Sequence, residues 1–509
     1  MAHLTRKAFV RMAARTGLGT VALGRLARAQ TSSGSKTVED GKNLHFSQGV
    51  TAQVVRFITS ADIAHVPADV VEQAKRCLID GFGVILAGSM VRSSAIVREY
   101  SRSSGGPGQA TAFGAPPVRV PIEYAALLNG ASGHAMDFDD TQLSTTSDRT
   151  FGLLTHPTVP ALASSLALAE HMDVSGREFL QAFIIGFEVE CKIAEAINPN
   201  HYNRGYHSTG TIGVFGAAAA AARLLNENPA VVSHTLAIAA SLSAGIRVNF
   251  GTMTKPLHAG RAAQNGIFAA RLASSGFTGG ADGLDGEWGF FQVAGGGADT
   301  DRIAGVLGRP FTMVKPGVSV KPYPCGSLSH PSMDAMLKLV LDHDITADQV
   351  QSVRVRAGSN ILEPLRYKTA KTELEAKFCL PFLMAVIILR RRAGIQEFTD
   401  SFVASTPVQQ LMPRVETKFD PELEAQGFDK MRSVIEVRLT DGRSFMQVSD
   451  DRYRGGPDRP FTRDELHAKF RDCAAQVLPA NRMTHALDLI ESVDSLKSVR
   501  ELVAAMSPA

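Results

Sequence analysis

The chain has 509 residues, more than one compact core usually takes, so two domains are the natural division. With 44% hydrophobic and 7% aromatic residues, and no run of the roughly 20 uninterrupted apolar residues a membrane span requires, it reads as a globular protein. The net charge is +3, but Arg6, Lys7, Arg11, Arg15, Arg25 and Arg28 all lie in the first 29 residues, which hold no acid; without them the charge is +3 − 6 = −3, which gives no global case for a nucleic-acid partner.

Residues 1–29 read as an export signal. A basic start leads to a mildly apolar stretch from Thr16 to Gly24, then to Ala27-Arg28-Ala29, a small-x-small cleavage site. Thr5-Arg6-Lys7-Ala-Phe9 is similar to a twin-arginine consensus, with Lys7 in place of the second arginine, so a periplasmic location is expected. Residues 30–49, rich in Ser, Gly and charge, read as linker. From Val50 to about Ser275 the apolar spacing is helical, with a run of small residues from Ala217 to Ala222 that lets a neighbouring helix come close. The Gly-rich passage from Gly276 to Gly297 reads as a connection between domains. Beyond it the period changes. Ser352-Val-Arg-Val-Arg alternates as a strand does, and Asp441-Gly442 between two apolar runs is a hairpin signal. Residues 313–455 therefore form a smaller α/β domain, and helical periodicity returns over 456–509.

The richest stretch is Gly130-Ala-Ser-Gly-His134-Ala-Met-Asp137-Phe-Asp139-Asp140-Thr141. If the apolar helix from Ile122 continues, His134, Asp137 and Thr141 share one face. A solvated acidic helix end is one reading. A Mg²⁺ site is another, though no second acidic cluster is evident in the sequence. Independently, His156-Pro157, Lys255-Pro256 and His330-Pro331 each place a basic residue before a proline that opens a helix. His207 stands similarly, before the Ala-rich helix. Several cations at helix N-termini suggest a pocket for a substrate with more than one carboxylate. The five scattered cysteines lack Cys-x-x-Cys spacing, and G-x-G-x-x-G, P-loop and Gly-x-Ser-x-Gly motifs are missing.

Several motifs in order resemble the MmgE/PrpD family: Cys77-Leu-Ile-Asp80-Gly, the Asp137 stretch, Tyr206-His207-Ser-Thr-Gly, Lys255-Pro-Leu-His258 and Lys321-Pro-Tyr323-Pro-Cys325. The resemblance implies a mainly α fold, a large helical domain over 50–312 carrying an α/β lid over 313–455, with the C-terminal helices returning to the helical domain. It implies a homodimer and a cofactor-independent, metal-free lyase acting on a citrate-like polycarboxylate, as in 2-methylcitrate dehydratase. Asp137, His156 and His207 are the implied catalytic residues. Thr141, Lys255, Lys321, His258 and Tyr323 are the implied substrate contacts. Two departures stand out. Residues 142–155 form a long insertion beside the site, and Gly326 stands where cis-aconitate decarboxylase has a histidine five residues after the lid lysine. Decarboxylation or epimerisation on the same scaffold, and an exported tricarboxylate-binding protein without turnover, remain the alternatives.

Overall fold

The computed structural model describes residues 49–142, 155–427, 430–450 and 454–508. Residues 1–29, expected to be an export signal, nearly all of the expected linker and most of the 142–155 stretch lie outside the described residues. The fold is mainly helical. In chain order come α1 (Val50–Ser60), α2 (Ala68–Gly88), α3 (Arg92–Ser103), a short hairpin β1 (Ala110–Ala112) and β2 (Val118–Val120), then α4 (Ile122–Ala135) and β3 (Thr141–Gln142). Next are α5 (Thr158–Met172), α6 (Gly176–Ile197), α7 (Gly213–Leu224), α8 (Pro229–Leu242) and α9 (Thr254–Ser274). The rest holds β4 (Val318–Ser319), α10 (His330–Asp342), β5 (Val350–Ala357), α11 (Leu380–Arg390), β6 (Val415–Phe419), β7 (Ser433–Leu439) and β8 (Ser444–Val448). It closes with α12 (Arg463–Ala474), α13 (Ala480–Glu491) and α14 (Val499–Ala505). Among the described residues no single helix is long and apolar enough to cross a membrane.

Local chemistry sets the helix ends. Ser175 and Glu178 form a reciprocal capping box on α6, and the Asn228 side chain accepts from Ala230 N and Val231 N before Pro229 opens α8. In α7 the alanines from Ala217 to Ala222 are fully buried, so the small side chains let other helices close around it. The contact that positions the site is the crossing of α4 and α9. A Cβ on Gly130 would lie 2.8 Å from Gly260 Cα, and one on Gly260 would lie 2.3 Å from Leu127 O. With neither side chain present, the C-terminal end of α4 meets the N-terminal end of α9, which brings His134 and Lys255 together. Gly130→Ala should force the helices apart and cost about 1–3 kcal/mol. Chemical denaturation measures this, and an unchanged midpoint would mean the crossing has slack that the backbone contacts do not suggest.

The Gly-rich passage differs from a free connection. Gly279 and Gly283 pack against Ala237 of α8, and the Asp285 carboxylate accepts from Val50 N (2.6 Å) and Thr51 N (3.1 Å), capping α1. Small residues are used there to fold the chain back onto the helices. Met313, Val318 and Val320 likewise sit in the core shared with Leu78, Phe82 and Phe183, while the cluster that holds the larger sheet takes in the chain from Tyr323 together with Tyr202 and Phe250. That sheet has the order β6-β5-β7-β8, with β5 parallel to β6 and the other pairs antiparallel. Met333 and Met336 of α10 and Phe382 and Leu383 of α11 join Val353, Val355, Ile435 and Val437 in its core. Gly442, at φ 88°, makes the β7–β8 turn that the Asp-Gly pair predicts. Leu466, Phe470, Leu487 and Leu502 of the last helices bury themselves beside α2, α5 and α6.

Candidate active site

The helix α4 does not continue through the acidic stretch. It stops at Ala135, and Asp137 adopts a left-handed conformation at φ 51°. Such a backbone is uncommon for a residue with a side chain and marks a place where the surroundings dictate conformation. Those surroundings are lysines from three distant segments. Lys377 Nζ donates to Ala135 O (3.1 Å), Lys321 Nζ to Asp137 O (3.0 Å) and Lys469 Nζ to Phe138 O (2.8 Å). Carbonyls at a helix C-terminus lack intrahelical donors and carry partial negative charge, so buried ammonium groups satisfy both needs. Lys469 also pairs with Asp80 at 2.6 Å and lies 3.9 Å from the Phe138 ring centroid. Asp137, Asp139 and Asp140 are all buried, which removes the solvated helix end as a reading.

Asp137 is the centre of the arrangement. Its Oδ1 accepts from Lys255 Nζ (2.8 Å) and from Lys321 Nζ (2.9 Å). Lys255 Nζ also donates to His134 Nε2 at 2.7 Å, and His134 Nδ1 in turn donates to Asp139 Oδ2 at 2.8 Å. Since a carboxylate only accepts, this chain fixes the His134 tautomer. His156 Nδ1 lies 2.7 Å from the Asp140 carbonyl and 3.2 Å from Thr141 Oγ1. The carbonyl forces Nδ1 to carry the proton, which leaves Nε2 with the lone pair. His207 Nδ1 lies 3.0 Å from His258 Nδ1, so one of these rings donates to the other.

A cavity opens over this cluster. Asp137, Thr141, His156, His207, Lys255 and Lys321 all line it. His258 stands behind His207 and meets the cavity only through it. Tyr323 lies elsewhere: its hydroxyl donates to Asp334 Oδ1 at 2.7 Å, its ring meets His330 edge-on at 5.5 Å, and it lines a separate cleft. Of the three basic residues before helix-opening prolines, His156 and Lys255 reach the cavity and His330 is buried beside Tyr323. Ser208 and Thr209 lie next to His207 in the Tyr206-His207-Ser-Thr-Gly stretch and could have been found there. Phe250, Leu328, Leu365 and Phe378, also lining residues, carry no sequence signal that separates them from core. Three buried polar atoms of residues that line this space have no protein partner among the described residues: Asp137 Oδ2, His207 Nε2 and Ser208 Oγ.

Electrostatics sort the groups into roles. Burial alone would raise the Asp137 carboxyl, but Lys255 and Lys321 hold it well below the usual carboxylate range. A carboxylate so stabilised is a weak base. Burial pushes His156 and His207 well below the ordinary imidazole range, with Lys321 acting on the first and Lys255 on the second in the same direction, so both rings are neutral near pH 7. Behind the site, carboxyls distant in sequence do gather. Burial, Asp80 and Asp139 push Asp140 up to about 8, and burial raises Glu190, to which Thr155 donates. A carboxyl whose folded pKa lies above its unfolded value favours folding most below the unfolded pKa, and loses that contribution as pH rises to the folded one. Asp140→Asn, which keeps the acceptor for Thr158 N, should therefore stabilise the protein increasingly from pH 5 to pH 9. Melting curves across that range check it, and a pH-independent difference would mean Asp140 is ionised throughout.

Among the described residues, His134, Asp137 and His156 form the group best suited to a metal, with donor atoms within 4.8 Å of one another. Lys255 already occupies both His134 Nε2 and Asp137 Oδ1, and Lys321 shares the latter. A cation seated there has to displace an ammonium from each, so the donor set fits two lysines better than a metal.

What the fold and cavity define is a mainly helical protein with a buried acid–base site at a helix terminus. The chain matches the MmgE/PrpD N-terminal domain over residues 52–303 and the MmgE/PrpD C-terminal domain over residues 323–494, and it belongs to the MmgE/PrpD family. It is similar to the cis-aconitate decarboxylase of Homo sapiens, 26% identical over 90% of this chain and 95% of that protein. The cis-aconitate decarboxylase of Aspergillus terreus is 23% identical over 90% of this chain and 96% of that protein.

Proposed function

We propose that this protein is a cofactor-independent lyase acting on a citrate-like polycarboxylate, removing a proton next to a carboxylate with loss of water. The observation that carries this reading is the convergence of Asp137 Oδ2, His207 Nε2 and Ser208 Oγ, buried without protein partners, on one cavity with the His156 ring. Buried polar atoms are almost always paired, so these await a ligand's polar groups. His156, neutral with its lone pair on Nε2, takes the proton from carbon. The imidazolium so formed at His156 passes that proton to the departing hydroxyl, which leaves as water, and His207 donates a hydrogen bond to it from Nε2 when His258 donates to its Nδ1. Lys255, anchored by Asp137 and His134, faces the charge that develops on the substrate carboxylate. Asp137 orients the two lysines and is too well stabilised to act as the base.

The names of the relatives favour a second reading, decarboxylation, in which loss of CO₂ leaves a carbanion that then takes up a proton. Gly326, where a decarboxylase-type histidine is expected, weighs against it. The test is incubation with a panel of citrate-like acids, following the ultraviolet absorbance of new carbon–carbon double bonds alongside CO₂ release. A double bond without CO₂ supports dehydration. CO₂ release supports the second reading, and neither product from any acid rejects both.

The α/β part, which supplies Leu328, Leu365 and Phe378 to the cavity, serves in this reading as its lid. A ligand held between the two parts should favour closure. Hydrogen exchange over residues 323–427 should slow when tricarballylate is added. Exchange that is the same with saturating ligand would sink the lid role.

A further inference from the structure

The cavity has polar and apolar lining residues. Its floor carries Asp137, His156, His207 and Lys255, all from the helical part. Phe250, Leu328, Leu365 and Phe378, all buried, also line the cavity, with the Phe250 and Phe378 rings stacked 5.7 Å apart at 28° and Lys255 Nζ 5.5 Å and 5.7 Å from their centroids. Gly326 joins them without a side chain, and a Cβ there would meet the end of Leu365 at 3.2 Å. The polar set is less cationic than its residue types suggest. Among the described lining residues the cations are Lys255 and Lys321. All three N–H bonds of Lys321 are taken within the protein, by Asp137 Oδ1 (2.9 Å), Asp137 O (3.0 Å) and Cys325 O (3.3 Å). Lys255 directs two of its three to His134 and Asp137. One ammonium hydrogen, the Ser208 hydroxyl, His207 Nε2 when it carries the hydrogen, and the hydroxyls of Tyr202 and Ser327 are left as donors for a ligand, while Asp137 Oδ2 repels an anion and suits a hydroxyl. The imidazoles of His156 and His207 are neutral, as burial dictates. The two ammoniums and the Asp137 and Asp139 carboxylates leave no net charge, since the hydrogen bond from a neutral His134 does not cancel the Asp139 carboxylate.

A carboxylate moved into such a place without a cation loses its hydration and gains no compensation. We infer that the substrate carries at most two carboxylates and an aliphatic arm, one carboxylate seated at Lys255 and Ser208 and the arm lying against Phe250, Leu365 and Phe378. This rests on the polycarboxylate reading and narrows it, because cis-aconitate, named in the relatives, is a tricarboxylate.

The test is titration calorimetry of the full chain with two acids that share a succinate core. Tricarballylate places a third carboxylate on the branch, and 2-propylsuccinate places an alkyl chain of similar length there. Hydrophobic pockets discriminate by about tenfold or more per matched methylene, so 2-propylsuccinate should bind at least about tenfold more tightly. Phe378→Ala should remove about tenfold of that affinity and weaken succinate binding by less. Tighter binding of tricarballylate overturns the inference while leaving the polycarboxylate reading intact. Binding of neither acid overturns both. Equal losses for 2-propylsuccinate and succinate in the variant would show that Phe378 supports the fold only, and the seat assigned to the aliphatic arm would have to be withdrawn.

Discussion

Replacing His156 by Gln is expected to lower kcat by about a hundred- to ten-thousand-fold while KM changes little. The backbone carbonyl of Asp140 holds the Nδ1 proton of this ring, at 2.7 Å, so the lone pair is available on Nε2. Glutamine can keep a donor toward that carbonyl but offers no basic nitrogen. An interaction made only in the transition state shows in kcat, whereas uniform binding shows in KM. The pH profile gives a second readout. Burial, with Lys321 acting in the same direction, keeps the ring neutral well below the ordinary imidazole range. The wild-type acid limb should therefore lie below pH 6.5, the usual imidazole value, and should vanish in the variant along with the rate. An unchanged kcat would reduce His156 to a residue that ties the turn at Asp140 to the start of α5.

The cavity residues that sequence reading reached are those whose chemistry is tied to local pattern. His156 and Lys255 stand before prolines that open helices, and α5 and α9 do begin beside them. The same pattern misled at His330, because a helix start fixes where a residue lies along its own element and not which cavity it faces. His134, Asp137 and Thr141 do not share one helix face, for a related reason. The left-handed turn at Asp137 is imposed by Lys321, Lys377 and Lys469, which come from more than 180 residues away. No local propensity encodes that. The sheet shows the same limit. β5, β7 and β8 carry alternation or a turn signal, but β6, Val-Glu-Thr-Lys-Phe, is defined by its parallel register with β5. The carboxyls Asp80 and Glu190, brought behind Asp140 by α2 and α6, were unreadable because the elements that deliver them lie far apart in the chain.

The largest stability effect is expected for Asp137→Asn. One carboxylate oxygen lies between two buried ammonium groups, 2.8 Å from Lys255 Nζ and 2.9 Å from Lys321 Nζ. Removing the negative charge leaves the ammoniums facing each other, both buried, with an amide between them. Breaking a buried ion pair by neutralising one partner typically costs about 3–5 kcal/mol, and here two pairs share the lost partner. Mild acid does not mimic the substitution. Although burial works to raise the Asp137 carboxyl, the lysines hold it well below the usual range. Its contribution is therefore fully present above the unfolded-state value and is lost only as pH falls toward the much lower folded one. A second change separates charge from shape. Adding Lys321→Met removes one of the stranded ammoniums, so the double variant should regain part of the stability lost by Asp137→Asn alone, while activity stays absent. Denaturant unfolding of the wild type, both single variants and the double variant gives the coupling energy directly. Losses that simply add would mean the two side chains act independently, and the carboxylate that organises the site would have to be sought elsewhere.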